Sequence, residues 1–185
     1  MAKVLVIGDS GCGKSCLIHR YKYGRYPTTL PTTTVGVDYI TIRNVHNTIT
    51  GRIYDAGGGD AHQYIIPHYF SGVNAVMIVF DGRHPHAVRD SVYTWWDLLI
   101  RYMNNVQKIP VYIVCHMGNQ TCPPPVIEPL LSTTNVHYRY VDASSGLHVD
   151  KLFTDALTHV DGETSKNTRT IVLRETPHTH VYCCY

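Results

Sequence analysis

Residues 8–15 read Gly-Asp-Ser-Gly-Cys-Gly-Lys-Ser, a complete G-x-x-x-x-G-K-S loop directly after the apolar run Val4-Leu5-Val6-Ile7. That spacing is suited to holding a polyphosphate. Backbone N–H groups converge where a strand turns into a helix, at the positive end of the helix dipole. Gly8, Gly11 and Gly13 let the backbone approach the phosphates in conformations that a Cβ disfavours. Lys14 is placed to reach the β- and γ-phosphates, and the Ser15 hydroxyl to ligate Mg²⁺. Asp9, Ser10 and Cys12 complete the loop, and Cys16 follows just inside the helix; all four join the nucleotide-binding candidates.

The elements that must carry this loop alternate along the chain. Residues 3–7 read as a strand and 14–23 as a helix, followed by a Thr/Pro-rich loop over 27–34. Residues 37–45 and 48–54 read as two strands joined by a hairpin across His46-Asn47. The runs 75–80 and 111–115 are continuously apolar, as expected of parallel strands covered on both faces, and 136–141 makes a sixth strand. Helices are expected at 61–70, 87–104 and 147–160. In the last of these Val149, Leu152, Phe153, Ala156, Leu157 and Val160 share one face. The fold class is therefore α/β: a single, mostly parallel six-stranded sheet with helices on both faces, its ligand at the carboxyl ends of the strands.

Composition narrows the possibilities. A length of 185 residues suits one domain, and 44% apolar residues is a globular fraction. A formal charge of +2 with no basic block argues against a nucleic-acid partner. No apolar run approaches the roughly 20 residues that span a bilayer. The strand begins right after Met1-Ala2, so no signal peptide is expected. The positions of Cys12, Cys16 and Cys115 favour free thiols in a reducing compartment over a disulfide framework.

With these residues in view, the chain resembles the small Ras-like GTPases, and the Rab branch most closely, over residues 3–160 and the last few residues. KVLVIGDSGCGKSCLIHR at 3–20 looks like a Rab first strand, phosphate loop and first helix. Thr34-Val35-Gly36-Val37-Asp38-Tyr39 is similar to the switch I segment T-I-G-V-D-F, and Asp55-Ala56-Gly57-Gly58 stands where D-T-A-G is expected. Residues 69–81 follow the family's Y-Y-R-G-A and its next strand. The resemblance implies the P-loop small G-protein fold, GTP/GDP and Mg²⁺ as ligands, and GTP hydrolysis. It also implies that Lys14, Thr34 and Gly58 serve the reaction: Thr34 on Mg²⁺ and the γ-phosphate, Gly58 donating its N–H to the γ-phosphate. Ser15, Thr34 and Asp55 are the implied metal set, Asp55 acting through water. Tyr26 is the candidate to stack on the base. Effectors and regulators would read switch I, residues 32–40, an order–disorder element in this family, and switch II.

Three departures qualify that picture. Gly59 stands where the family carries the Gln that orients the attacking water, and the fourteen positions from Asp55 to Tyr69 leave no gap to realign it. Gln63 and His62 lie nearby but would need a refolded loop. The base-reading motif G-N-K-x-D appears as Cys115-His116-Met117-Gly118-Asn119. Asn119 brings neutral amide hydrogen bonds where a carboxylate would bring charged ones, so guanine preference should weaken by about one or two orders of magnitude. Equally, 115–119 reads as a plain strand end entering a loop. The S-A-K loop appears as Asp142-Ala143-Ser144, whose backbone contacts to a base through Ala143 and Ser144 survive the change of side chains. Pro123-Pro124-Pro125 and Pro129 shorten the helix expected between these motifs to a remnant near 126–131.

The polar stretch 161–185 reads as a tail beyond a G domain of residues 1–160, and it ends in Cys183-Cys184-Tyr185. The paired cysteines look like a Rab double-prenylation signal, which implies a peripheral protein on the cytosolic face of a membrane. Two readings follow. One is a Mg²⁺- and guanine-nucleotide-dependent, membrane-anchored switch in vesicle trafficking or signalling with slow hydrolysis. The other is a pseudo-GTPase interaction module that engages Rab regulators or effectors with weak or relaxed nucleotide binding. A less favoured third, an NTPase of relaxed base choice, follows from Asn119 alone.

Overall fold

The computed structural model describes residues 1–29, 32–43, 49–59, 63–84, 86–117 and 125–158. Among these residues, six strands form one sheet: β1 (Ala2–Ile7), β2 (Val37–Arg43), β3 (Ile49–Ala56), β4 (Ala75–Asp81), β5 (Val111–His116) and β6 (Val136–Val141). Their spatial order is β2-β3-β1-β4-β5-β6, with β2 antiparallel to β3 and every other pair parallel. β1 thus lies at the centre, and its carboxyl end delivers residues 8–13 to the middle of the sheet's upper edge. All six residues of β4 from Ala75 to Phe80 are buried, as are all six of β5, which accounts for their unbroken apolar runs.

Among the described residues, four α-helices cover the sheet: α1 (Lys14–Tyr23), α2 (Val88–Tyr102), α3 (Glu128–Leu131) and α4 (Val149–Thr158). One core lies between the sheet and α1 with α4, where the rings of Tyr21 and Phe153 stack 4.6 Å apart. The other lies under α2, whose Val88, Val92, Trp95 and Leu99 are buried at i, i+4, i+7 and i+11. The Arg20 guanidinium donates to the Ser145 carbonyl at 3.1 Å, tying α1 to the loop after β6.

Most expected elements are present, with ends shifted by a residue or two. The helix expected at 61–70 is not. Residues 63–65 form turns and Ile66–Tyr69 a single 3₁₀ turn. Pro67 has no N–H to give to an α-helical ladder, and its ring opposes the carbonyl four residues back. The proline-limited remnant divides into a 3₁₀ turn at Pro125–Ile127 and the four-residue α3. Cys12 and Cys115 are free thiols, but Cys16 is disulfide-bonded, which corrects the expectation of reduced cysteines at that position. The hairpin turn at 46–47, His62, Asn119 and the tail with Cys183 and Cys184 lie outside the described residues.

Candidate functional site

The phosphate loop is built by close backbone approach. Gly13 sits at φ 93° immediately before α1, where a Cβ would also strike the His116 ring. The first turn of α1 has no acidic residue to neutralise its positive end. Lys14, 5% exposed, folds back over the loop, donating from Nζ to the Gly8 carbonyl at 2.8 Å and to the Asp9 carbonyl at 2.7 Å. Its ammonium is thereby aimed along the loop rather than into solvent. A cleft there is lined by Ser10, Gly11, Gly13, Lys14, Ser15, Thr33, Thr34 and Gly58.

Asp9 contributes its backbone to this loop, while its carboxylate accepts from Trp95 Nε1 of α2 at 2.8 Å. Cys12 is buried, and burial pushes its thiol up, so it stays uncharged beside the loop.

Ser15, Thr34 and Asp55 converge from three segments. Ser15 Oγ donates to Asp55 Oδ2 at 2.6 Å and lies 3.2 Å from Thr34 Oγ1. Asp55 is 1% exposed, and its Oδ1 is buried with no hydrogen-bond partner among the described residues. Burial raises the Asp55 carboxyl to about 6, although Ser15 and Lys14 pull the other way. A buried, half-satisfied carboxylate beside two hydroxyls is a donor set of hard oxygens, which fits Mg²⁺. Ser15 and Thr34 would hold the ion directly and Asp55 through water. The ion would supply charge neutralisation between the phosphates.

Gly58 closes the far side. Its carbonyl accepts from the Ser10 N–H at 3.1 Å, and a Cβ on it would collide with the Asp9 carbonyl carbon and the Ser10 nitrogen. No residue but glycine brings the backbone this close to the loop. The Gly57 N–H donates to the Gly36 carbonyl at 2.7 Å, so the segments after β3 and before β2 are coupled. Gly59 follows with no side chain to orient water, and Gln63 lies four residues on, in the turn before Ile66–Tyr69.

On the opposite side of the loop, β5 ends at His116, which is buried. Met117 follows at φ 55°, a left-handed conformation that a long side chain adopts at a cost, as residues at ligand sites often do. The 142–145 loop is clamped by Asp142. Its Oδ1 accepts from the Ser144 N–H and hydroxyl at 2.9 and 2.7 Å, and its Oδ2 from the Ser145 hydroxyl at 2.7 Å. Burial opposes the charge on Asp142, but these bonds outweigh it and hold the carboxyl below its ordinary value. Ala143 and Ser144 are thus presented next to His116 and Met117. Tyr26 is partly buried against the core, its hydroxyl 3.7 Å from Cys16 Sγ near the start of α1.

Three contacts in this site were not foreseen from residue types: Trp95 on Asp9, the Asp142 clamp, and the His116 ring between two loops. Local spacing carries no signal for the first and third, which join residues 86 and 104 positions apart.

Comparison with known proteins gives the geometry its context. Residues 3–161 match the Ras family model. The chain is 28% identical over 155 residues to the Ras-related protein RIC1 of rice (Oryza sativa subsp. japonica), covering 82% of this chain and 76% of the relative. It is likewise 28% identical over 156 residues to the GTP-binding protein YPTM1 of maize (Zea mays), covering 82% and 74%. Over a shorter span of 112 residues it is 34% identical to the Ras-related protein RABD2a of Arabidopsis thaliana, covering 59% and 54%. Ras-family proteins bind GTP and GDP with Mg²⁺ and hydrolyse GTP. The chain belongs to that family, as a Rab-related small GTP-binding protein.

Proposed function

We propose that the chain is a membrane-anchored switch in vesicle trafficking or signalling, whose triphosphate state is long-lived because hydrolysis is slow. The observation that carries this reading is the convergence of Lys14, Ser15, Thr34, Asp55 and Gly58 on one cleft, with Gly59 beside it. Lys14 and the loop N–H groups would bind the β- and γ-phosphates. Thr34 would sense the γ-phosphate through the metal, and the Gly58 N–H would sense it directly. The Gly57–Gly36 hydrogen bond would make the two segments respond together. At Gly59 no side chain positions the attacking water, so chemistry lags behind binding.

Val35, Tyr39 and Tyr64 are exposed at 84%, 52% and 72%. They flank the segments that sense the γ-phosphate, and they supply apolar surface for effectors and regulators. Residues 1–160 would form the G domain, and residues 161–185 a tether ending in lipidated Cys183 and Cys184. Two lipid chains would hold the protein on the cytosolic face of a membrane. His116, Met117, Asn119, Ala143 and Ser144 would line the base, with Tyr26 at its side.

Gly59 together with Asn119 also favours a second reading, an interaction module with relaxed nucleotide binding. Single-turnover GTP hydrolysis and mass spectrometry of the C-terminus from cells test the first. It predicts a turnover well below that of an ordinary Rab and two prenyl groups. A rate equal to an ordinary Rab, or an unmodified C-terminus, contradicts it.

A further inference from the structure

His116 occupies the place at which the resembling motif carries asparagine, and its ring spans two loops. Nδ1 lies 2.9 Å from the Cys12 carbonyl oxygen. That oxygen only accepts, so Nδ1 bears the proton. Nε2 accepts the Ala143 backbone N–H at 3.3 Å, so Nε2 bears none. The two bonds together specify a neutral imidazole in a single tautomer. A second proton would have to sit on Nε2, facing another donor, and the Ala143 bond would break. The strand end is otherwise fixed, because the Gly82 N–H donates to the His116 carbonyl at 2.8 Å. The ring's freedom therefore lies in its two nitrogens.

We propose that His116 is a positioning residue that staples the phosphate loop to the base-side loop, so that nucleotide retention weakens as its imidazole becomes protonated. This rests on the reading of the cleft as a nucleotide site. The phosphate loop and residues 142–145 would grip opposite ends of one nucleotide, and their relative position passes through this ring.

Among the described residues, the groups facing the ring from each packed element are few. The phosphate loop brings the buried Cys12 thiol, which stays neutral, together with Lys14 and Asp9, whose charges are taken up by loop carbonyls and by Trp95. The end of β4 and its following turn bring Asp81, Arg83 and His84; Arg83 pairs with Asp81 at 2.7 Å, and His84 lies 3.7 Å from it. The loop after β6 brings Asp142, turned onto Ser144 and Ser145. Burial dominates these charges and draws the His116 pKa below the ordinary histidine value. Neutrality at pH 7 follows, with protonation confined to acidic conditions.

Asparagine carries a donating NH₂ and an accepting carbonyl on a single amide and does not titrate, so His116→Asn can make both bonds at any pH. The test measures release of a fluorescent guanine nucleotide in Mg²⁺ buffer from pH 8 to pH 5.5, for the full-length protein and for His116→Asn. Taking the ratio of the two rates cancels every other titrating group. Relative to its value at pH 7.5, the ratio should rise on the order of tenfold as the imidazole protonates, the cost of one buried hydrogen bond. A ratio independent of pH overturns the proposal.

Nitrogen-15 chemical shifts of His116 in the nucleotide-free protein provide a readout that survives if no nucleotide binds. A proton on Nδ1 and none on Nε2 at pH 7.5 supports the staple. A proton on Nε2 at that pH overturns it. Absence of nucleotide binding at every pH, with the Nδ1–H form intact, would count against the nucleotide reading and leave the staple standing.

Discussion

Replacing Asp55 with asparagine should separate the cost of the metal site from its use. In the folded protein the carboxyl is raised from 3.8 to about 6, burial being the leading cause. At roughly 1.4 kcal/mol per pKa unit, holding the charge at pH 7 costs the nucleotide-free protein roughly 3 kcal/mol. The sign follows from proton counting. Between the two pKa values the folded state binds more protons than the unfolded one, so stability falls as pH rises from about 4 to about 6 and stays low above that. An asparagine at this position would carry no charge, and its carbonyl oxygen can still accept the Ser15 hydroxyl, which now donates at 2.6 Å. Asp55→Asn should therefore stabilise the nucleotide-free protein at pH 7 by roughly 2–3 kcal/mol, with the gain vanishing near pH 4. It should also lose most of the additional stability that Mg²⁺ and nucleotide confer on the wild type. Urea denaturation at pH 4, 5, 6 and 7, with and without Mg²⁺-GDP, reads both effects. An Asp55→Asn protein that is less stable without metal, or that keeps the full Mg²⁺ increment, would show that Asp55 neither strains the metal-free site nor holds the ion.

Three further substitutions probe separate parts of the site. Gly59→Gln restores a side chain that can orient water and should raise single-turnover GTP hydrolysis at least about tenfold; an unchanged rate would mean that the missing glutamine is not what limits it. Gly58→Ala drives a Cβ into the backbone of Asp9 and Ser10 and should cost about 1–3 kcal/mol in denaturant unfolding, with triphosphate affinity falling more than diphosphate affinity. Trp95→Phe removes the donor to the Asp9 carboxylate and should destabilise by about 1.5–3 kcal/mol; a change under about 0.5 kcal/mol would show that Asp9 finds another partner.

The parts of the fold that were legible in the chain are those dictated by local physics. β4 and β5 are buried on both faces and so are written as uninterrupted apolar runs, and α4 shows its buried stripe directly. The phosphate loop was legible because glycine spacing, Lys14 and Ser15 each answer to one chemical demand. The segment 61–70 is expected as a helix, but Pro67 holds Ile66–Tyr69 to a 3₁₀ turn. The raised carboxyl of Asp55 was invisible for a different reason. Its environment is assembled from Ser15 on α1, Thr34 before β2 and the β1–β3 pairing, which come together only in the folded sheet. His116 looked like a departure from a base-reading motif, and its two hydrogen bonds give it a task of its own between Cys12 and Ala143.

The central claim is that this cleft binds a guanine nucleotide through Lys14 and the Ser15–Thr34–Asp55 oxygens. Calorimetric titration of the nucleotide-free, full-length protein with GDP and ADP, each with and without Mg²⁺, tests it most directly. GDP should bind, Mg²⁺ should tighten binding, ADP should bind at least about tenfold more weakly, and Lys14→Ala should abolish all of it. No binding of either nucleotide, or GDP binding indifferent to both Mg²⁺ and Lys14→Ala, would contradict it.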